Sequence, residues 1–275
     1  MLKLEAGLLA VDTHAHIFRR GLSLASGRRY APDYDAELSH YLGLLDRYGI
    51  ARGVLVQPSF LGSDNSFLLE GLRQAPDRLR GIAVVEPGVA TAELERMAAA
   101  GVVGIRLNLV GVPLPDLNSS PWQEQLSRLA ALGWQVEVHR PARDLQLIMP
   151  PLLDAGVDVV VDHFGLPDPR LGVADAGFRY LLELAATGRV WVKLSAAYRN
   201  GVAPLGVPHA DTTAALLRQA FGPARLLWGS DWPHTQHERS VDYGQTITAL
   251  QHWLPDEAER RIVLQDTPAA LYRFA

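Results

Sequence analysis

The chain has 275 residues, 48% of them hydrophobic and 20% charged, with 30 acidic against 26 basic side chains and a net charge of -4. It has no cysteine, which excludes disulfides, thiolate-bound zinc, iron–sulfur clusters and thiol catalysis. The slight acidity argues against a nucleic-acid partner, no run of about 18 apolar residues is present to span a membrane, and the opening MLKLEAGLLAVDTHAH has too short an apolar stretch for a signal peptide and no cleavage-like site, so a cytoplasmic setting is expected.

Short apolar runs rich in Val, Ile and Leu alternate along the chain with stretches of helical periodicity. The apolar runs are residues 8–18, 53–58, 81–87, 104–109, 134–139, 157–164, 190–196 and 225–231. The helical stretches between them are 37–48, 66–74, 92–100, 122–132, 145–155, 178–187 and 212–221, several followed by a stop glycine (Gly49, Gly101, Gly133, Gly156, Gly188). Residues 241–253, 256–264 and 268–274 read as closing helices. Strand and helix alternating eight times over this length predict an α/β chain of the (β/α)8 TIM-barrel type, one domain spanning 1–275. A doubly wound open sheet is the alternative. Long polar connections at 19–36, 109–121, 165–177 and 199–211 all follow strands, so in a barrel they fall on the C-terminal face, where barrel enzymes carry their sites.

Strand alternation puts residues i and i+2 on one face. Asp12, His14 and His16 then share a face of the first strand, Arg106 and Asn108 of the fourth, Glu137 and His139 of the fifth, and Lys193 and Ser195 of the seventh. His163 ends the sixth and Asp231 the eighth. The opposite positions are mostly apolar, so the polar sets are expected to converge in the lumen. Burying that many ionisable groups together costs stability unless they pair or bind something. A lone H-x-H or a single strand-end aspartate is a weak signal; the coincidence over these strand ends carries the argument. The chemistry that suits the set is hydrolysis. His14 and His16 can share one metal, with His139, His163 and Asp231 as further ligands, Asp231 can act as base for a water, and Arg106 offers a fork for a carboxylate. Glu137 lies deep enough to orient His139 or Lys193 instead. His234 and His237 follow Asp231 closely enough to line the site, whereas His40 and His252 read as ordinary helix residues.

The stretches VDTHAHIF (11–18), GVLVQPSFLGSDN (53–65), GIRLNLVG (104–111), VDHFGLPD (161–168), VKLSAAYR (192–199) and LLWGSDWPH (226–234) make the chain similar to the amidohydrolase superfamily. Within it the resemblance is to the amidohydrolase 2 branch that contains the pyrone-dicarboxylate lactonases. It implies a (β/α)8 fold and hydrolysis of a small carboxylated lactone. By the resemblance, Asp231 activates water, His14, His16 and His163 position and polarise the lactone carbonyl, and Arg106 and Arg199 hold carboxylates. Ser59, Asp64, Asn65 and Tyr198 are further binding candidates. In the pyrone lactonases the aspartate works without a metal. Here His139, together with His14, His16 and Asp231, would complete a site for one divalent ion, zinc or manganese, so the expectation is either no cofactor or one such metal. A second departure is Val112, where those lactonases carry a second arginine. The rival readings are a metal-dependent decarboxylase of a small aromatic or muconate-type acid, which the same branch also contains, and a non-catalytic barrel that binds a small acid. The expected partner is a small molecule, with an oligomer left open.

Overall fold

The computed structural model describes residues 7–201 and 206–274, with the backbone alone at 206–209. Eight parallel strands follow one another around a barrel in sequence order: β1 (Val11–Ala15), β2 (Arg52–Val56), β3 (Leu79–Ala83), β4 (Val102–Asn108), β5 (Gln135–His139), β6 (Val159–Val161), β7 (Val190–Ser195) and β8 (Leu226–Gly229). The ring closes between β8 and β1 just past the end of β8, where Asp231 N donates to His14 O and His16 N donates to Trp232 O, both at 2.8 Å. This is the TIM-barrel architecture that the alternation predicts.

The helices form the outer layer: α1 (Leu38–Tyr48), α2 (Ser66–Gln74), α3 (Thr91–Ala99), α4 (Ser120–Leu132), α5 (Leu145–Asp154), α6 (Ala176–Glu183), α7 (Gly206–Phe221), α8 (Tyr243–Trp253), α9 (Glu257–Arg261) and α10 (Thr267–Leu271). Gly49 and Gly133 end α1 and α4 in the left-handed conformation that a β-carbon disfavours. A π-turn at Ile262–Asp266 joins α9 to α10, which the sequence reads as separate helices. α7 begins before the predicted 212 and takes in His209, whose side chain is outside the described set. Among the described residues no helix is long and apolar enough to cross a membrane.

Two apolar cores result. The larger lies between sheet and helices and receives Ile105, Val136, Val138, Val192 and Leu194 from the outward faces of the strands. The smaller fills the bottom of the lumen with Val11, Val54, Ile82, Val103, Val160, Trp191 and Leu227, closed by Tyr272 and Phe274 from the C-terminal segment.

β1 breaks the simple alternation, and this corrects the face expected for Asp12. Its pairing with β2 slips between Asp12 and Ala15, where three steps along β1 match two along β2. The bulge reverses the phase: Val11 points into the lumen, yet Ala15 points to the helix layer. His14 and His16 therefore face inward, while Asp12 faces outward. Its carboxylate accepts from Ser230 N and Oγ and from Tyr243 OH of α8, tying β1 to the end of β8 from behind.

Candidate active site

His14 and His16 reach the top of the lumen from the bulged end of β1. Gly229 leaves the space: a β-carbon there would lie 2.5 Å from His14 Cβ. His163 and Asp231 come just after the ends of β6 and β8, at φ of 51° and 59°. Side chains seldom adopt that region, and strain of this kind collects at functional sites. Here it turns both groups back over the barrel axis instead of letting the next strand position carry them outward.

Asp231 sits at the centre, fully buried. Its Oδ2 accepts from Tyr198 OH at 2.6 Å and Arg199 Nε at 2.7 Å. Its Oδ1 has no hydrogen-bond partner among the described residues. That oxygen lies 3.6 Å from Nε2 of His14, 3.6 Å from Nε2 of His16 and 4.0 Å from Nε2 of His163. Burial works against its charge, but the Arg199 guanidinium beside it holds its carboxyl well below the usual range. It is a carboxylate with one oxygen anchored and the other offered to the site.

The ring protons follow from the partners. Burial pushes His14, His139 and His163 well below the ordinary imidazole range, so these rings are neutral. His16 Nδ1 lies 2.7 Å from Val56 O. A carbonyl only accepts, so Nδ1 carries the proton, and in the neutral ring Nε2 presents a lone pair. In that form two acceptors, His16 Nε2 and Asp231 Oδ1, face each other at 3.6 Å, where a water proton or a cation would bridge them. His14 Nδ1 lies between Lys193 Nζ at 3.0 Å, which only donates, and Asp162 Oδ1 at 3.4 Å, which only accepts. The nearer lysine favours the form in which Nε2–H points at Asp231. Arg106 Nη2 donates to His139 Nδ1 at 3.1 Å, which leaves His139 with Nε2–H as a donor.

The buried trio His14, His16 and Asp231 brings three ligand atoms within 4.8 Å of one another, as does the trio His14, Asp162 and His163. The partnerless His14 Nε2 and Asp231 Oδ1 fit a metal ion in the first trio, provided the His14 proton moves to the Asp162 side. His139 stands outside both trios and faces Arg106 and the His163 ring instead.

A second layer of charge supports this centre. Asp162, fully buried, accepts from Nε and Nη2 of Arg106 at 3.1 and 3.0 Å and lies 3.4 Å from Lys193 Nζ. Burial opposes its charge, but Lys193 and Arg106 hold it well below the carboxylate range. Glu137 takes Lys193 at 2.7 Å and Tyr272 OH at 3.1 Å; burial raises its carboxyl to about 7 even against the lysine. Glu137 thus orients Lys193, not His139.

The site opens into a cavity of about 1210 Å³ lined by His16, Ser59, Arg106, His139, His163 and Asp231, among others. Tyr198, Arg199 and His237 also line it. Asn65 does not. Its amide donates to Ser63 O and Val84 O and accepts from Val84 N, so it fastens the start of α2 to the end of β3. Asp64 caps the same helix through Ser66 N, away from the cavity. His234 sits behind Tyr198, whose OH is 3.2 Å from its Nδ1. His40 packs on Trp232, and His252 pairs with Asp211 at the outer rim.

Comparisons with known proteins identify the family and the fold. The amidohydrolase family model matches residues 11–274. The chain is 32% identical to 4-sulfomuconolactone hydrolase of Rhizobium radiobacter, over 96% of this chain and 89% of that one. It is 32% identical to 2-pyrone-4,6-dicarboxylate hydrolase of Comamonas testosteroni, over 98% and 91%. A crystal structure of a probable 2-pyrone-4,6-dicarboxylic acid hydrolase from Acinetobacter baumannii, with citric acid bound, superposes with a TM-score of 0.94 at 40% identity, covering 97% of this chain and 100% of that one. With the family match spanning the whole barrel and the inward His14, His16, His163 and Asp231 at its top, this chain belongs to the amidohydrolase family.

Proposed function

We propose that this chain is a lactonase that opens a small lactone bearing acidic groups, of the 2-pyrone-4,6-dicarboxylate or 4-sulfomuconolactone kind on which its relatives act. One observation carries the reading: Asp231 Oδ1, an ionised and otherwise partnerless oxygen, faces the Nε2 atoms of His14, His16 and His163 at 3.6–4.0 Å. A water in that gap donates one proton to Asp231 Oδ1 and is aimed at a carbonyl carbon above it. As its oxygen attacks, Asp231 takes the proton, and negative charge builds on the carbonyl oxygen. The N–H groups of His14 and His139 are the donors for that charge. Collapse of the tetrahedral intermediate breaks the ring C–O bond, and the proton held by Asp231 passes to the departing oxygen. The product is the open hydroxy acid or its keto form. Arg199 and Arg106 line the same cavity and suit the substrate's carboxylates.

Zinc or manganese suits the imidazole and carboxylate donors of His14, His16 and Asp231. When bound there, such an ion supplies Lewis-acid polarisation of the carbonyl.

The test is ring opening of 2-pyrone-4,6-dicarboxylate and of 4-sulfomuconolactone by the purified protein, as isolated, after chelator treatment, and with zinc or manganese restored. Hydrolysis of either lactone to its open acid is the expected outcome. Release of carbon dioxide from an aromatic or muconate acid, with neither lactone opened, would overturn the reading in favour of a decarboxylase. Comparing the three preparations decides whether the metal is part of the working site.

A further inference from the structure

We infer that Arg29, on the connection from β1 to α1, binds the second anionic group of the substrate and so selects doubly charged over singly charged lactones. The inference rests on the lactonase reading of the site.

Arg29, Arg106 and Arg199 all line the cavity. Arg106 is matched by Asp162 at 3.0 Å and Arg199 by Asp231 at 2.7 Å. Arg29 forms no ion pair among the described residues. Among the described residues its one hydrogen bond runs from Nη2 to the neutral Asn108 Oδ1 at 3.2 Å. After pairing, one positive charge is left over, and Arg29 carries it. Arg29 is exposed at the cavity mouth, yet desolvation there and the facing charges of Arg106 and Arg199 both work against its cation. An anion placed among the three guanidinium groups relieves that repulsion and accepts from a fork with donors to spare.

The arm is held where it can do this. Its Cδ lies 3.1 Å from the place a β-carbon of Gly111 would occupy, and Gly111 has a φ of 72°. A side chain at 111 would push the arm off the turn that carries Val112, an exposed apolar residue with no charge to offer. The connection that bears Arg29 is pinned on both sides: Ala25 N donates to Phe60 O at 2.8 Å, and Phe18 and Ala36 bridge to each other. The next residue, Tyr30, packs on Phe60. Arg140, the other arginine near this turn, is tied to Asp144 and to the carbonyls of Leu109 and Val112 and does not line the cavity. The cation available to a second acidic group, carboxylate or sulfonate, is therefore the one on the first loop.

The experiment compares binding of isophthalate and benzoate, which differ by one carboxylate and cannot be hydrolysed, by calorimetry on the wild type, Arg29→Gln and Arg28→Gln. Arg28 is exposed like Arg29 but does not line the cavity, and its guanidinium donates to Ala25 O, so its variant controls for loss of loop charge alone. The expected result is that Arg29→Gln weakens isophthalate about tenfold more than benzoate, as loss of one charge-assisted contact implies. Arg28→Gln leaves the ratio near that of the wild type, and Arg29→Lys falls between. Equal weakening of both ligands by Arg29→Gln, no weakening of either, or the same selectivity change in Arg28→Gln would overturn the inference. Because binding needs no turnover, a protein that shows this selectivity yet opens no lactone would refute the lactonase reading and leave the role of Arg29 standing.

Discussion

The lumen of the barrel holds two layers of opposite character within a few residues along each strand. At the bottom Val11, Val54, Ile82, Val103, Val160, Trp191 and Leu227 interlock under Tyr272 and Phe274. Above them lie Glu137, Lys193, Asp162, Arg106 and the histidines, all buried. The lower layer is stabilised by removing apolar surface from water. The upper layer pays for desolvated charge and recovers it only through matched partners, so it does little for net stability. What it gains is a set of side chains held in fixed orientation. The two layers meet at Tyr272, whose ring belongs to the apolar floor and whose hydroxyl reaches Glu137.

Removing the one base in the upper layer gives the largest expected effect. Asp231→Asn retains the shape of the side chain but cannot take a proton. Turnover is expected to fall about a thousandfold with KM little changed, and the melting temperature should fall as well because Arg199 loses its buried partner. Steady-state kinetics and a thermal melt measure both. Undiminished turnover would remove Asp231 from the base role.

Lys193→Met probes the layer's internal matching. It strips Glu137 and Asp162 of a shared cation while they remain buried. A loss of about 3–5 kcal/mol is expected, seen as a fall in melting temperature on the order of 10 °C. Without the lysine, Glu137, whose carboxyl burial already raises to about 7, is held protonated, so adding Glu137→Gln should leave the melting temperature of the double variant close to that of the single one. A double variant that melts well above the single one would show that Glu137 stays charged without its lysine. Leu227→Ala makes the opposite cut, in the floor. It should cost about 3 kcal/mol through lost contact and a residual cavity, while kcat stays near that of the wild type because no polar group of the upper layer moves. A large fall in kcat would show that the floor sets the positions above it.

The lower layer and the outer core are legible in the sequence because they obey the two simple periods, and the strands appear close to their expected places. The upper layer is legible in kind but not in every orientation. His14, His16 and Asp231 announce themselves by residue type at strand ends, yet three backbone features that place them follow no pattern in the chain: the β1 bulge, and the left-handed turns at His163 and Asp231. Alternation alone sends Asp12 inward and leaves Asp162 overlooked beside the more conspicuous His163. The signal for Asp162 was present, since it lies two residues after the lumen-facing Val160. Asn65 shows the converse difficulty: an amide near a site suits a ligand and a backbone latch equally, and only the positions of Ser63 and Val84 decide between them. Arg29 was beyond reach because its relation to Arg106 and Arg199 depends on how a long loop folds back over the barrel mouth.

The smallest expected effect comes from Ser195→Ala, at the seam between positioning and packing. Ser195 Oγ lies 2.8 Å from His163 Nδ1, both buried. The bond joins two neutral groups, so its net worth is about 0.5–1.5 kcal/mol. If its role is to orient His163 toward Asp231, the loss appears in kcat/KM, as a fall of about tenfold at most, with the melting temperature almost unmoved. If the hydroxyl serves packing instead, the melting temperature falls and kcat/KM holds. A methyl at this position retains nearly all the volume and none of the hydrogen bonding, so the two outcomes separate cleanly. The first places β7 with the catalytic layer up to its last residue; the second moves the boundary between the two layers one side chain higher.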